Sequence, residues 1–251
     1  MIESIILYFQ FFTAIPINQS VDQAATKLKK GVIYFPAFAF IYAGIFALFF
    51  FLFRFFFSST IAWSLLIILD ILLTRGFHYD ALADTADGLL SSKKADEMVR
   101  IMKDSAIGAN GALILISTIL LTFVLGREFL INYFENEIVF VIAWAASGRS
   151  CLPLMFYQLV YVGDNPNGLG SLFLGVSTWK IVASQILTMA FFFLLGWPYL
   201  LSYISLLLTM YFYRYFVYHK ISGMTGDTMG AAALIGQIIY MLFVLLLFNK
   251  N

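Results

Sequence analysis

Residues 31–53 read GVIYFPAFAFIYAGIFALFFFLF and contain no charged side chain. The hydrocarbon core of a bilayer is about 30 Å thick, and a helix crosses it with about 20 consecutive apolar residues. This stretch is therefore long enough to cross a membrane as one helix. Together with the apolar stretches that follow it along the chain, it predicts an all-helical membrane protein.

The composition of the whole chain supports the same prediction. Of the 251 residues, 62% are hydrophobic and 12% are charged, and the mean hydropathy is +0.90. A soluble domain carries about 25% charged residues, so too little polar surface remains here to cover a water-soluble particle. We expect one integral membrane domain over residues 1–251. The net charge of +1 argues against nucleic acid as a partner, and the lipid bilayer is the expected surrounding. The oligomeric state is left open.

Seven apolar segments are candidates for membrane-spanning helices. The second of them is short and contains Asp70. The predicted spans are residues 31–53, 61–74, 108–126, 138–162, 180–195, 199–217 and 229–248. The sequence Gly196-Trp197-Pro198 predicts a tight turn between the fifth and sixth spans. Residues 1–17 are expected to form an amphipathic helix on the membrane surface. The fold class is therefore an all-α transmembrane bundle of about six or seven spans.

The distribution of lysine and arginine predicts the orientation of the bundle. Cytoplasmic loops of membrane proteins carry an excess of these residues. If the chain before Gly31 is cytoplasmic, eleven basic residues fall on or near that side. The basic residues expected on the opposite side are Arg54, Arg127 and Lys250. The segment 75–107 and the loop 218–229, which contains Asp227, are then both cytoplasmic, so the active site is expected to face the cytoplasm.

Acidic residues are concentrated between the second and third predicted spans. Six of the fourteen acids of the chain lie there, namely Asp80, Asp84, Asp87, Asp96, Glu97 and Asp104. Asp80, Asp84 and Asp87 follow the spacing i, i+4, i+7, which places them within roughly 60° on one helix face. A solvated surface helix is the plain alternative. Acids near a membrane are costly and usually functional, and we therefore favour a functional site.

The chemistry of this acidic face predicts a metal site. Three carboxylates on one face repel one another, and a divalent cation removes that repulsion. Carboxylate oxygens select Mg²⁺ or Ca²⁺ over zinc, for which one cysteine and two histidines do not suffice. Mg²⁺ commonly binds one or two protein carboxylates together with substrate phosphates. We therefore expect Asp80, Asp84 and Asp87 to bind Mg²⁺ and, through it, a diphosphate that undergoes phosphoryl-type transfer.

At these residues the sequence resembles the membrane-bound cobalamin synthases, which are adenosylcobinamide-GDP ribazoletransferases. The pattern of that family is close to H-x-D-G-x-A-D-T-x-D-G, followed by a basic stretch and by M-K-D-x-x-I-G. The chain has HYDALADTADG at 78–88 and MKDSAIG at 102–108. Other stretches are similar in the same order, namely FFTAIPI at 11–17, SGRS at 147–150 and GMTGDTMGA at 223–231. The resemblance covers nearly the whole chain.

The chain departs from the family pattern at three places. Ala81 stands where the family usually has glycine, and Ala106 replaces a residue that is often basic. After Ala231 the chain continues as Ala232-Ala233-Leu234, where a more polar stretch is expected. These departures concern the details of metal or nucleotide contacts and leave the aspartates in place.

The resemblance implies a reaction late in vitamin B12 biosynthesis. The adenosylcobinamide-phosphate moiety passes from adenosylcobinamide-GDP to α-ribazole, or to its 5′-phosphate, and GMP leaves. The products are adenosylcobalamin or its 5′-phosphate. The resemblance also implies a requirement for Mg²⁺ and a location in the cell membrane of a prokaryote.

Roles follow for the polar residues of these motifs. The candidate catalytic residues are Asp80, Asp84 and Asp227, since one carboxylate must act as general base for the attacking hydroxyl. The glycines around Asp227 let backbone N–H groups approach phosphate closely, although an ordinary loop is the alternative there. The candidate substrate-binding residues are His78, Lys103, Asp104, Ser105, Arg149 and Thr225.

Three of these residues have structural alternatives. Lys103 could neutralise phosphate charge or only mark the cytoplasmic end of a span. Arg149 lies inside a predicted span and must find a partner, which is either a phosphate or an acid such as Asp70. His78 could donate to phosphate or serve as a structural histidine.

Two other classes of function fit parts of the sequence. Prenyltransferases of the UbiA type usually carry two aspartate-rich motifs, whereas this chain has one cluster. The CDP-alcohol phosphotransferases share D-x-x-D-G, which residues 84–88 match, but their continuation is missing here. An ion-coupled transporter would use intramembrane acids such as Asp70 and broken spans. It ranks below an enzyme because the acids cluster at the predicted cytoplasmic edge.

Overall fold

The computed structural model describes residues 1–163 and 168–249. Lys250, one of the basic residues used to predict orientation, lies outside the described residues. The helices in chain order are α1 (Ile2–Phe12), α2 (Ala24–Lys30), α3 (Phe35–Arg54), α4 (Ser59–Leu73), α5 (Phe77–Leu89), α6 (Ala95–Ile101), α7 (Ala109–Asn132), α8 (Glu137–Ser150), α9 (Leu152–Met155), α10 (Thr178–Leu195), α11 (Trp197–Ile221) and α12 (Gly226–Phe248). Short 3-10 turns cover Gly31–Tyr34, Phe134–Asn136 and Leu169–Phe173.

Within the described residues, six helical stretches are long and apolar enough to cross a membrane. They are Ala24–Arg54, Ala109–Asn132, Phe134–Met155, Thr178–Leu195, Trp197–Ile221 and Gly226–Phe248. The pair α4 and α5 would make a seventh crossing only as a broken span, since the two helices meet at 82°. The prediction of an all-α, multi-pass bundle of about six or seven spans is confirmed.

The predicted second span, residues 61–74, is wrong as an independent crossing. It corresponds to α4, whose 15 residues reach about 22 Å and fall short of a bilayer core. The helix ends at Leu73, and Arg75 and Gly76 follow with φ of 52° and 70°. Glycine adopts this left-handed conformation without strain, so the chain turns sharply there. As a result α5 lies across the end of α4 instead of continuing it.

Two other predicted boundaries are corrected. The fourth span was expected to reach residue 162, but α8 ends at Ser150 and the short helix α9 ends at Met155. Pro153 lies in the first turn of α9. Proline has no N–H to donate to the preceding turn, so α8 cannot continue through it as a regular helix. The remaining residues lead to a parallel bridge between Tyr161 and Met224.

The seventh span begins earlier than the predicted residue 229, so the loop expected at 218–229 is only a short turn. Thr225 caps α12: its hydroxyl accepts the N–H of Thr228 at 3.1 Å, and the Thr228 hydroxyl accepts the N–H of Thr225 at 2.9 Å. This reciprocal capping box starts the helix at Gly226. Asp227 therefore lies in the first turn of α12, where its side chain has a defined direction.

Residues 1–17 do contain a helix, α1, which is too short to cross a membrane. Its buried face packs on α3, with the ring of Tyr8 4.7 Å from that of Phe35 and the ring of Phe12 5.6 Å from the same phenylalanine. The hydroxyl of Tyr8 donates to the carbonyl of Leu28 at 2.7 Å. The helix is thus held against the bundle, and Phe11 and Phe12 reach the end of α5.

Two buried tryptophans join α4, α7 and α8. The indole of Trp63 lies 4.6 Å from that of Trp144 and donates to the carbonyl of Thr122 at 3.1 Å. A side chain at Gly126 would collide with Trp63, so only glycine lets α7 approach this closely.

Candidate active site

The acidic helix α5 is built into the bundle by its other faces. It packs against α7 and α12, and Tyr79 and Leu82 are buried with Ala231 and Leu234 of α12. A methyl group added at Gly230 would come within 2.8 Å of the Ala81 Cβ, so the two helices lie very close there. The alanines and leucine that depart from the family pattern in α12 are buried in the bundle. They therefore pack instead of contacting solvent.

The remaining face of α5 carries the three aspartates, as the spacing predicts for a helix. Asp80 is exposed, and Asp84 and Asp87 are partly buried. Burial raises the pKa of the Asp84 carboxyl to about 7, and the charges of Asp80, Asp227 and Asp87 add to this rise. The fold thus brings Asp227, from the opposite end of the sequence, into the same electrostatic cluster. We call Asp80, Asp84, Asp87 and Asp227 the carboxylate cluster.

Asp87 differs from the other members of the carboxylate cluster. One of its oxygens accepts the N–H of Gly108 at 2.7 Å, and the other accepts the N–H of Gly111 at 2.8 Å. N–H groups at the start of a helix have no partner within the helix itself, and the helix dipole also favours a negative charge there. Asp87 therefore anchors the N-terminus of α7. Its role as a metal ligand stays a prediction.

Two cavities open beside the carboxylate cluster. The first, of about 230 Å³, we call the aromatic cavity, and its rings belong to Phe11, Phe12, Phe77, Phe156, Tyr161 and Phe173. The second, of about 670 Å³, we call the polar cavity, and its polar groups include Gln10, Thr13, Thr74, Arg75, Asp84 and Ser105. Asp80, Phe11 and Phe77 line both cavities. Asp80 therefore stands where the two cavities meet.

The predicted substrate-binding residues of the loops fall around these cavities. Lys103 and Thr225 line the aromatic cavity together with Asp227, and Ser105 lines the polar cavity. Asp104 is exposed, and its carboxylate accepts the N–H of Ala106 at 3.1 Å. The two sequence clusters predicted to share one face of the membrane thus meet at one site.

His78 is buried behind the aromatic cavity. Its ring stacks 5.9 Å from that of Phe12, and its Nδ1 lies 3.2 Å from the carbonyl oxygen of Gly230. Burial lowers the pKa of His78 to about 3, so the imidazole is neutral at physiological pH and one ring nitrogen carries a proton. We infer that Nδ1 donates that proton to the carbonyl. The structure therefore gives His78 a structural contact, and a contact with phosphate stays a prediction.

Arg149 is buried inside the bundle, as expected for an arginine in a span. Its Nη2 donates to Asp70 at 2.6 Å and to the Tyr42 hydroxyl at 3.0 Å, and the guanidinium lies 4.5 Å from the Tyr42 ring centre. Asp70 is one of the two partners considered from the sequence, and a contact of Arg149 with phosphate stays a prediction. The hydroxyl of Tyr79 also donates to Asp70 at 3.3 Å, which connects this buried group to α5 next to Asp80.

The aromatic walls are what the sequence reasoning missed. Phe156 and Phe173 stack with their ring centres 4.0 Å apart, and Phe11 meets Phe173 edge-on at 6.0 Å. In a chain with 28 phenylalanines, no spacing separates these rings from lipid-facing ones. The only available signal was the resemblance of residues 11–17 to a family motif.

The donor atoms at the site are carboxylate oxygens. Among the residues that the structure describes, no three His, Cys, Asp or Glu side chains form a ready-made metal site. The set fits a hard cation that takes one or two protein carboxylates and completes its shell with phosphate and water. Asp80 and Asp84, one turn apart on α5, are the ligands that such a cation would take.

Comparison with known proteins identifies the family of the chain. A family profile described as cobalamin-5-phosphate synthase matches residues 4–245. The chain is 38% identical to the adenosylcobinamide-GDP ribazoletransferase of Listeria welshimeri over 251 residues, which cover 98% of this chain and 99% of the relative. It is 34% identical to the protein of the same name from Clostridium novyi, over 97% of this chain and 96% of the relative. No solved structure matches significantly. The chain therefore belongs to the cobalamin-5-phosphate synthase family.

Proposed function

We propose that this protein is an adenosylcobinamide-GDP ribazoletransferase that completes adenosylcobalamin or its 5′-phosphate. The acceptor is a ribose hydroxyl other than the 5′-hydroxyl, because the 5′-phosphate form also reacts and keeps its phosphate in the product. The oxygen of that hydroxyl forms a bond to the phosphorus attached to cobinamide. The bond from that phosphorus to the bridging oxygen breaks, and GMP leaves with the electron pair. The hydroxyl proton passes to a carboxylate.

The position of Asp80 carries the proposal. A transfer between two substrates needs two binding spaces that meet at the reacting atoms, and Asp80 lines both the aromatic and the polar cavity. Asp227 lines the aromatic cavity and Asp84 the polar cavity. Carboxylates are thus available on both sides of the meeting point, one to take the hydroxyl proton and others to hold a cation.

The ionic groups at the site have complementary tasks. Asp227 accepts the proton of the attacking hydroxyl, because Asp80 is a proposed ligand of the cation. Lys103 and Arg75, which line the aromatic and polar cavities respectively, offset the negative charge of the diphosphate. Thr225 adds a hydroxyl beside Asp227. These contacts hold the phosphate at the end of α5 while the bond changes take place.

Mg²⁺ is the proposed cofactor. The donor chemistry of the carboxylate cluster supports it, because Asp84 is held in an environment that disfavours its negative charge until a cation is present. Asp80 and Asp84 would hold the ion. When bound, Mg²⁺ would neutralise phosphate charge and make the phosphorus easier to attack.

The site is proposed to face the cytoplasm of a prokaryotic cell, from the cell membrane. Lys103 and Arg75 at the site belong to the eleven basic residues that the charge distribution assigns to the cytoplasmic side. A nucleotide-linked substrate would enter from that side.

Conversion of adenosylcobinamide-GDP and α-ribazole by the purified protein, with and without Mg²⁺, tests the proposal. We expect product only with Mg²⁺, and a loss of about 100-fold or more in rate for Asp80→Asn. Asp96→Asn, which changes an exposed acid on α6, serves as the matched control and should stay within about twofold. Folded wild-type protein that makes no cobalamin product would overturn the assignment. If Asp80→Asn reacts as fast as Asp96→Asn, Asp80 takes no part in the reaction.

A further inference from the structure

Aromatic rings form much of the wall of the aromatic cavity. Phe156 and Phe173 are parallel within 2°, and Phe11 meets Phe77 and Phe173 edge-on at 6.0 Å each. Aromatic groups bind other aromatic groups well in stacked and edge-on arrangements, which this wall offers together. The volume of about 230 Å³ is below the roughly 300–1,000 Å³ of sites for drug-sized ligands. The cavity therefore suits a single base and not a whole nucleotide.

The charged groups of the aromatic cavity belong to, or lie beside, the carboxylate cluster. Asp80, Lys103 and Asp227 are its charged residues, and the rest of the wall is mostly apolar. A guest with polar atoms along its edges, such as guanine, would leave some of them without hydrogen bonds among these rings. A bicyclic base with methyl groups on its outer edge and a single free ring nitrogen has far fewer such atoms. Its sugar hydroxyl would then reach towards the carboxylates.

The polar cavity suits the diphosphate part of the other substrate. It is nearly three times larger by volume, at about 670 Å³, and it contains Arg75 and Asp84. A diphosphate needs cationic and metal-binding groups, and a large donor needs an open space. The two cavities thus differ in the way that the two substrates differ.

We propose that the aromatic cavity binds the flat, apolar base of the acceptor nucleoside, with its hydroxyl directed at Asp80 and Asp227. This inference rests on the proposed function for the identity of the nucleoside, whose base is a dimethylated benzimidazole. On this proposal Phe156 and Phe173 select the base of the acceptor, and the residues of the acidic motifs do not.

Gly226 offers a clean way to fill the aromatic cavity. It lines the cavity, and a methyl group added there would meet only the backbone nitrogen of Gly170, at 3.9 Å. The first side-chain carbon therefore has space at this position, and we expect the rest of a leucine side chain to occupy part of the cavity. Gly44 is the matched control, because it is an exposed helical glycine of α3 whose added methyl group would meet nothing within 4 Å.

The test measures KM for each substrate and, separately, the binding of free dimethylbenzimidazole. We expect Gly226→Leu to raise KM for α-ribazole by about 10-fold or more and to weaken binding of the free base, with KM for adenosylcobinamide-GDP unchanged. Phe156→Leu keeps an apolar side chain and should weaken binding of the base by about 10-fold through lost stacking. Gly44→Leu should change neither.

The outcomes separate this inference from the proposed function. If the wild type forms product but Gly226→Leu raises KM only for adenosylcobinamide-GDP, the cavity holds the donor and the inference is overturned. If the wild type forms no product, the proposed function fails, and binding of the free base still tests the cavity. Base binding that Gly226→Leu and Phe156→Leu both leave unchanged would also overturn the inference.

Discussion

The buried group around Asp70 and the carboxylate cluster on α5 both place acids in an apolar protein, but they treat them in opposite ways. Asp70 receives hydrogen bonds from Arg149, Tyr42 and Tyr79. Asp84 instead lies beside other carboxylates, and burial with their charges raises its pKa to about 7. A fully paired acid stabilises the fold only as part of its pair. An acid surrounded by like charges is prepared to bind a cation or a proton.

The largest effect on stability is expected from breaking the paired acid. Arg149→Met leaves the Asp70 charge buried without its partner and should lower the free energy of unfolding by about 3–5 kcal/mol. Thermal unfolding in detergent measures this loss. The double variant Asp70→Leu with Arg149→Met removes both charges and should recover most of the stability. If the single variant is as stable as the wild type, the pair is not what holds α4 to α8.

We expect the affinity of the carboxylate cluster for a cation to depend on pH. A carboxyl with a pKa of about 7 is half protonated at pH 7, so Mg²⁺ must displace a proton there. We expect Mg²⁺ affinity to fall by about 10-fold from pH 8 to pH 6, as measured by titration without substrate.

The sign of the effect on stability follows from the same pKa. Because the folded state raises the pKa of Asp84, protonation favours folding: the benefit is fully present below the unfolded pKa of 3.8 and is lost as the pH rises through about 7. Asp84→Asn cannot titrate and should remove this part of the pH dependence. A pH-independent affinity in the wild type would mean that Asp84 is not a ligand.

The smallest effect is expected for Asp87, which shares features of both regions. Asp87→Asn keeps the size of the side chain but replaces one acceptor oxygen with an N–H₂ group, which cannot accept from both Gly108 and Gly111. Loss of such a helix cap should lower stability by about 1 kcal/mol. Thermal unfolding gives the stability, and Mg²⁺ titration tells whether Asp87 is also a ligand. Asp96→Asn is the control for loss of an exposed acid.

Local features of the structure could be predicted because they depend on neighbours in the chain. The apolar runs predicted helices. The predicted span 180–195, for instance, agrees within two residues with α10, which covers Thr178–Leu195. The spacing of Asp80, Asp84 and Asp87 predicted one helix, and α5 contains all three. The end of α4 could not be predicted from hydropathy, because the bend depends on left-handed backbone at Arg75 and Gly76.

By itself, the sequence determined that this is a helical membrane protein with an acidic helix between its spans, because helix length and periodicity are local properties. Only the tertiary structure decided which polar groups meet. The contact of Asp70 with Arg149 joins residues 79 apart in the chain, and that of His78 with Gly230 joins residues 152 apart. Such contacts depend on how closely helices pack, as at Ala81 and Gly230. The aromatic cavity arises in the same way, from rings on separate elements that no spacing connects.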